Sequence, residues 1–405
     1  MSRRGLRGLC LAGALLALAA CGVRDNSSSS SSVPEQDAIL PGFSSSQAPA
    51  PSERDPDGPP DEWLDGGVLS AGYGRAWELL QTMTDEEKAG QVLLARCPDL
   101  DAAGAVAAYH PGGLVLFGRD FSGLTAEEVK ANLASYQAAS SLPLLLATDE
   151  EGGEVVRVSS NPALASERFR SMRALYRAGG ADLIEQDARA KAGLLLSLGV
   201  NLDLAPVADV STDPNDYIYG RTVGEDAATT ADCVAAAVRG LQGAGVSSAL
   251  KHFPGYGDNP DTHTGSALDE RPYEQFTSSD FLPFAAGIRA GARCVLVSHN
   301  VVACIDPDSP ASLSPAVHEV LRGELGFTGA VLTDDLTMEA ARAAAGGEEA
   351  AVRALQAGND LLIVSDLPAS YEQIADALAS GELDEAVLDR AVFRVLALKC
   401  CQGLL

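Results

Sequence analysis

From Trp63 to Cys401 the chain alternates eight times between a short apolar run and a longer amphipathic stretch. The apolar runs lie near Val92–Ala95, Gly113–Phe117, Leu142–Thr148, Val200–Pro206, Ala249–Phe253, Arg293–Ser298, Ala330–Thr333 and Asp360–Val364. Short runs with little polar alternation, each followed by polar residues, are what buried parallel strands require. Parallel strands need crossovers. Helical patterns lie between the runs, at Ala126–Ala139, Leu183–Leu198, Ala227–Leu241, Ser279–Ala290, Pro315–Leu325 and Glu339–Ala357. The expected fold is therefore α/β, a single (β/α)8 TIM barrel. A doubly wound open sheet competes, but no GxGxxG or Walker sequence follows any run. No internal repeat is sharp enough to indicate a solenoid. The barrel is expected to use the chain as far as Cys401, without a second domain.

In such a barrel the chemistry sits where strands end and loops begin. Polar residues gather at those ends. Asp149-Glu150-Glu151-Gly152-Gly153 closes the third run, Asp209 follows the fourth, and Lys251-His252 end the fifth. His299-Asn300 end the sixth, Asp334-Asp335 the seventh, and Asp366 follows the eighth. Polar groups on one rim need no apolar partner, so they form a candidate site. The density of Asp149, Glu150, Glu151 and Glu154 raises the question of a cation. Hard cations use oxygen ligands in defined loops, and the Gly-Gly break does not resemble an EF-hand. Neither a metal nor another cofactor is expected.

Residues 1–20 read as an export signal rather than as fold. Arg3, Arg4 and Arg7 precede an apolar stretch from Leu9 to Ala20, shorter than the roughly 20 residues a spanning helix needs. The stretch ends in Leu18-Ala19-Ala20-Cys21-Gly22, which resembles the lipobox of bacterial lipoproteins. That resemblance implies a lipid on the sulfur of Cys21 and an exported domain held at a membrane surface by acyl chains. Residues 21–62 carry the run Ser27–Ser32, then Ser44-Ser45-Ser46 and several prolines. Such a segment buries too little apolar area to order itself and reads as a disordered tether. The folded domain is expected over residues 63–405.

Charge and cysteines narrow the partners. Lys and Arg number 29 against 56 Asp and Glu, a net charge of −27 at pH 7. This excludes nucleic acid and docking on an anionic membrane through a basic patch. Cys97, Cys233, Cys294, Cys304, Cys400 and Cys401 lack CxxC or His spacing, so no zinc site is expected. Export permits disulfides, with Cys294 and Cys304 the pair to test. Free buried thiols are the expectation for a domain this large. A monomer is expected.

Two stretches carry most of the functional information. One is Lys251-His252-Phe253-Pro254-Gly255-Tyr256-Gly257, followed by Asp261-Thr262-His263. The other is Gly329-Ala330-Val331-Leu332-Thr333-Asp334-Asp335-Leu336-Thr337-Met338. With Asn201–Asp209 and Asp149–Arg157, they resemble glycoside hydrolase family 3, and within it the bacterial β-N-acetylglucosaminidases, over about residues 75–400.

A retaining glycosidase needs a carboxylate that attacks the anomeric carbon and forms a covalent glycosyl-enzyme. Neighbouring strand residues face opposite ways, so one of Asp334 and Asp335 is expected to face the sugar. Parity does not choose between them. In the family pattern the nucleophile follows Ser or Thr after an apolar run, which implies Asp334. Asp335 is then free to cap the helix beginning near Met338.

The resemblance implies His263 as general acid, oriented by Asp261. An imidazole with an ordinary pKa of about 6.5 suits proton transfer near neutral pH. It further implies that Asp149 grips sugar hydroxyls and that Arg157, Arg221, Lys251 and His252 surround the same sugar. Lys251 and His252 are adjacent, so the chain must turn there for both to meet one ligand. Gly255, Gly257 and Pro260 suggest a loop able to move over the site. Glu154 departs from the Arg that many relatives carry there, which bears on contacts beyond the first sugar. His299 is expected to support the rim.

The implied activity is that of an exo-acting retaining β-N-acetylglucosaminidase, releasing terminal GlcNAc from peptidoglycan fragments or other glycans. A β-N-acetylglucosaminide phosphorylase is the nearest alternative, because a His acid does not repel phosphate. A β-glucosidase of the same family is another. From a different class, a lipid-anchored glycan-binding receptor would have no need of Asp334 and His263.

Overall fold

The computed structural model describes residues 58–260, 267–344 and 350–405. Cys21, the expected signal and nearly all of the tether lie outside the described residues, as do Asp261 and His263.

Eight parallel strands form the centre. They are β1 (Leu93–Arg96), β2 (Gly113–Leu116), β3 (Leu145–Thr148), β4 (Leu202–Asp203), β5 (Ser247–Phe253), β6 (Cys294–Val297), β7 (Ala330–Thr333) and β8 (Leu362–Val364). Each pairs with its successor from β1 to β7, and β8 pairs with β1. Leu332 and Leu361 bridge the remaining gap in parallel register. There the Thr333 amide donates to the Leu361 carbonyl at 3.2 Å, and the Leu361 amide donates to that of Val331 at 3.1 Å. The sheet thus closes into the expected (β/α)8 barrel.

All eight strands fall where the apolar runs lie. Every residue of β2, β3, β6 and β7 is buried, which is why these runs show no polar alternation. A Cβ at Gly113 would sit 2.2 Å from the Leu145 carbonyl oxygen, so glycine lets β2 lie close against β3. β4 is shorter than its apolar run, and Pro206, two residues past Leu204, has no N–H to extend the ladder.

The crossover helices follow local signals. Ala126–Ala139 opens on a capping box: the Glu128 amide donates to Thr125 Oγ1 at 3.3 Å, and the Thr125 amide to Glu128 Oε2 at 2.8 Å. The helix expected at Leu183–Leu198 begins earlier, at Met172, and Gly179-Gly180 leave helical geometry inside it. That glycine break conceals its first turns in the sequence. Within the pattern at Glu339–Ala357, helix is described over Glu339–Ala344 and Ala350–Ala357, and residues 345–349 lie outside the described residues.

A final helix, Glu385–Cys401, packs at the N-terminal end of the barrel and buries most of its length. Its Lys399 is fully enclosed; Nζ donates to Gln91 Oε1 at 2.6 Å, and Gln91 Nε2 donates to the His110 carbonyl at 3.0 Å. Burial pushes the Lys399 ammonium down to about 7. The six cysteines are free thiols; Cys294 is buried in β6 and Cys304 is exposed. Among the described residues, no helix is long and apolar enough to cross a membrane.

Candidate active site

A cavity of about 1350 Å³ opens at the C-terminal ends of the strands. The six described residues to which the resemblance gives a substrate-binding or nucleophilic role line it: Asp149, Arg157, Arg221, Lys251, His252 and Asp334.

The floor is built on the end of β3. Glu150 turns away from the cavity and organises the following loop. Its carboxylate accepts from the amides of Arg157 and Val158 at 2.7 Å each, from the Ser159 amide at 3.1 Å, and from the Ser159 hydroxyl. The loop therefore folds back, and Arg157 returns to within 3.6 Å of Asp149. Gly152 and Gly153 make the reversal with φ of 96° and 70°. A Cβ on Gly152 would meet the Arg170 carbonyl at 2.2 Å. Beneath them Asp203 accepts from the Glu150 amide at 2.9 Å. Burial raises the Asp203 carboxyl to about 7.

Lys251 joins two acids, lying 2.7 Å from Asp149 and 2.7 Å from Glu151. Arg221 grips Glu151 with two prongs, at 3.0 Å and 2.6 Å. Burial alone would raise the Glu151 carboxyl, but Lys251 and Arg221 outweigh it and hold Glu151 well below the usual carboxylate range. Burial would likewise lower Lys251, yet Asp149 and Glu151 keep its ammonium above the ordinary value. The floor is thus a closed set of ion pairs whose charged forms sustain one another.

On β5 the ladder to β6 shifts register between Leu250 and Phe253, and the Lys251–His252 peptide is cis. Both side chains reach the cavity, as the turn expected there requires. His252 Nδ1 lies 2.7 Å from Asp209 Oδ2, and Nε2 lies 3.2 Å from Arg221 Nη2. A guanidinium only donates. Nε2 therefore accepts, and the ring proton sits on Nδ1 facing Asp209. Asp209 is fully buried and also accepts from the amides of His252 and Tyr256, at 3.2 Å and 2.8 Å.

The end of β7 separates the two neighbouring acids. Asp335 Oδ1 accepts from the Thr337 amide at 2.9 Å and its hydroxyl at 2.7 Å, while Oδ2 accepts from Ser365 at 2.5 Å. Its carboxylate is committed to the turn. Asp334 Oδ1 accepts from the Asp335 amide at 2.8 Å, and its side chain borders the cavity. His299 supports this turn, with Nε2 3.0 Å from the Asp335 carbonyl and Nδ1 2.7 Å from Ser312 Oγ.

Other expectations resolve differently. Asp366 does not line the cavity; it caps the helix Leu367–Ser380, accepting from the Ala369 amide at 3.2 Å. Gly255 and Gly257 pack on Asp280 and Arg271. Arg271 in turn pairs with Asp269 at 2.7 Å and Asp280 at 3.0 Å. Glu154 and Arg96 both border the cavity. Arg96 stands 5.1 Å over the Phe117 ring and was carried by no motif. Glu151 and Asp209 have structural roles that the motifs did not assign. The cation count offered one signal: Lys251 and Arg221 within a barrel mouth need more than the single charge of Asp149. Among the described residues, no group of three His, Cys, Asp or Glu side chains is arranged to hold a metal ion.

A closed barrel whose mouth joins a strand-end carboxylate to paired acids and cations has the nucleophile and the sugar grip of a glycoside hydrolase, while the expected acid, His263, lies outside the described residues. The model of the glycosyl hydrolase family 3 N terminal domain matches residues 84–398. Beta-hexosaminidase LpqI of Mycobacterium tuberculosis is 34% identical over 334 residues, covering 78% of this chain and 83% of that protein. A beta-hexosaminidase of Stenotrophomonas maltophilia is 37% identical over 286 residues, covering 68% of this chain and 82% of that one. The structure of a family 3 beta-N-acetylglucosaminidase from Paenibacillus sp. matches with a TM-score of 0.75 at 33% identity. That match covers 80% of this chain and 63% of the Paenibacillus chain, so this chain spans less than two thirds of that enzyme. The chain belongs to glycosyl hydrolase family 3.

Proposed function

We propose that this glycoside hydrolase is an exo-acting retaining β-N-acetylglucosaminidase that removes terminal β-linked GlcNAc from peptidoglycan fragments or another glycan. The observation that carries the reading is Asp149, held by Lys251 at 2.7 Å and by Arg157 at 3.6 Å in the cavity that Asp334 borders. A carboxylate flanked by cations accepts from sugar hydroxyls while the cations donate to them. Such a grip fixes the terminal sugar and leaves its anomeric carbon to Asp334. The beta-hexosaminidase relatives support an N-acetylhexosaminide as that sugar.

In this reading Asp334 attacks C1 and the bond from C1 to the leaving oxygen breaks. His263, oriented by Asp261, gives that oxygen its proton. Water then attacks C1, passes a proton to His263 and frees Asp334. Arg96, Thr337 and Ser365 border both this cavity and an adjoining compartment of about 550 Å³. That space gives the leaving group room. Leu18-Ala19-Ala20-Cys21 supports export and lipid attachment at Cys21.

The test is turnover of a chromogenic β-GlcNAc by the full chain, with and without phosphate, beside the matching β-glucoside. The expected result is faster GlcNAc turnover with free sugar as product. Sugar 1-phosphate would replace the reading with phosphorolysis, and faster glucoside turnover would replace it with a β-glucosidase.

A further inference from the structure

At the other end of the barrel, beside the segment that leads into β8, lies a separate cavity of about 270 Å³. It shares no lining residue with the active-site cavity. Arg322, Arg390 and Arg394 all border it. Arg390 and Arg394 are four residues apart on the helix Glu385–Cys401 and so share a face. In a chain with net charge −27, three guanidinium groups around one hollow call for a reason.

Two of them have partners. Arg322 Nη2 donates to Asp360 Oδ2 at 2.7 Å, and its Nη1 donates to the carbonyls of Phe327 and Gly329 at 3.0 Å and 2.6 Å. Arg394 Nη1 donates to Asp360 Oδ1 at 3.3 Å. Asp360 also accepts from the Val331 amide at 2.8 Å, so Oδ2 carries two bonds and Oδ1 one, from Arg394. Arg390 makes no hydrogen bond or ion pair among the described residues. The other acid on the lining, Glu319, is exposed. Its Oε1 lies 2.6 Å from where a Gly323 Cβ would stand, so it is turned over its own helix. The lining itself thus carries three guanidinium groups and two carboxylates, with Asp65 and Glu62 near enough to act on Arg390. Burial, with repulsion from Arg394, lowers Arg390 from its usual value.

Two enclosed polar atoms border the same hollow without partners. His318 is 4% exposed; its Nδ1 lies 2.8 Å from the Ser314 carbonyl, and its Nε2 has no partner. Asn359 is 1% exposed; its amide nitrogen donates to the Ser312 and Ala354 carbonyls at 2.7 Å each, which fixes its orientation. Its Oδ1 is left unbonded. Buried polar atoms without partners are uncommon and point to a missing ligand or water.

We propose that this cavity binds inorganic phosphate, with Arg390 and Arg394 donating to its oxygens. Asn359 Oδ1 is an acceptor, so the ligand must also bring a proton. Phosphate carries one near neutral pH, and sulfate does not. This distinguishes the site from a simple basic patch, which would take either anion.

The experiment titrates the full chain with inorganic phosphate at constant ionic strength, following heat and thermal midpoint, with sulfate in parallel. The wild-type chain shows saturable binding of one phosphate and a rising midpoint, with sulfate clearly weaker. Arg390→Gln, at an exposed position, keeps the phosphate-free midpoint and weakens binding roughly tenfold, about the effect of losing one charge-assisted hydrogen bond. Arg390→Lys retains most of the affinity. Glucose 6-phosphate, whose phosphoryl group is largely unprotonated at about pH 7.5, binds clearly more weakly than phosphate, and equal binding would overturn the requirement for a proton. The proposal is overturned if no saturable binding occurs, if sulfate matches phosphate, or if Arg390→Gln binds like wild type. The last result would assign the phosphate to the cations of the active-site floor instead.

Discussion

Arg221 holds Glu151 with two parallel bonds, Nε to Oε2 at 3.0 Å and Nη2 to Oε1 at 2.6 Å, across 70 residues of sequence. The same Glu151 oxygen that meets Nη2 also meets Lys251 at 2.7 Å. Glu151 therefore gives Arg221 its carboxylate partner and shares Lys251 with Asp149. Glu151→Gln keeps the shape and removes the charge. Stability in a denaturant titration should fall by about 3 to 5 kcal/mol, as when one partner of a buried pair is lost. Activity should fall with it, because Lys251 would no longer be fixed beside Asp149. Unchanged stability would show that the pairing is not needed.

Asp209 sets the tautomer of His252, leaving Nε2 to accept from Arg221. Asp209→Asn can present its amide to Nδ1 and move the ring proton to Nε2, facing the Arg221 donor. The expected loss in kcat/KM is roughly tenfold or more, with the thermal midpoint changed less than in Glu151→Gln. Wild-type kinetics in the Asn variant would remove Asp209 from the positioning of the site.

Lys399 makes stability depend on pH. Its folded value, about 7, lies below the ordinary 10.5, so the unfolded chain binds more protons between those limits. Stability then rises with pH from about 7 towards 10, and the cost of the buried charge is greatest below 7. Lys399→Met should raise stability most at pH 6 and flatten the slope above 7. A slope unchanged by the substitution would contradict the assignment.

Asp203 acts in the opposite sense and in a lower window. Burial lifts its folded value to about 7 from 3.8, so the folded chain binds more protons between those limits. Its contribution favours the fold below about 4 and is lost as pH rises through 7. Asp203→Asn should flatten stability across pH 4 to 7, and equilibrium unfolding at four pH values would measure it. An identical pH profile for the variant would contradict it.

The barrel was legible because each strand is buried on both faces and followed by polar residues, a signal that survives without knowledge of contacts. Asp149, Lys251 and Asp334 stood out for the same reason: they are polar groups at the ends of apolar runs. What escaped was pairing over distance. Nothing adjacent to Glu151 in sequence announces Arg221, and Glu150 and Glu151 look alike although one ties a loop and the other anchors the floor. Asp366 both caps a helix and lines the adjoining compartment, since a rim acid and a helix cap share the same local pattern. The kinked start of Met172–Leu198 was lost because Gly179-Gly180 breaks the helical signal although the chain resumes its helix beyond them.

The central claim is that Asp334 forms a covalent bond to the sugar. It is tested most directly by incubating the full chain with a slowly hydrolysed 5-fluoro β-GlcNAc donor, followed by digestion and mass spectrometry of the peptides. The expected result is one added glycosyl unit on the peptide containing Asp334, fragmenting at that residue, and none in Asp334→Asn. A glycosyl unit on another residue, or steady turnover of chromogenic β-GlcNAc by Asp334→Asn at the wild-type rate, would contradict it.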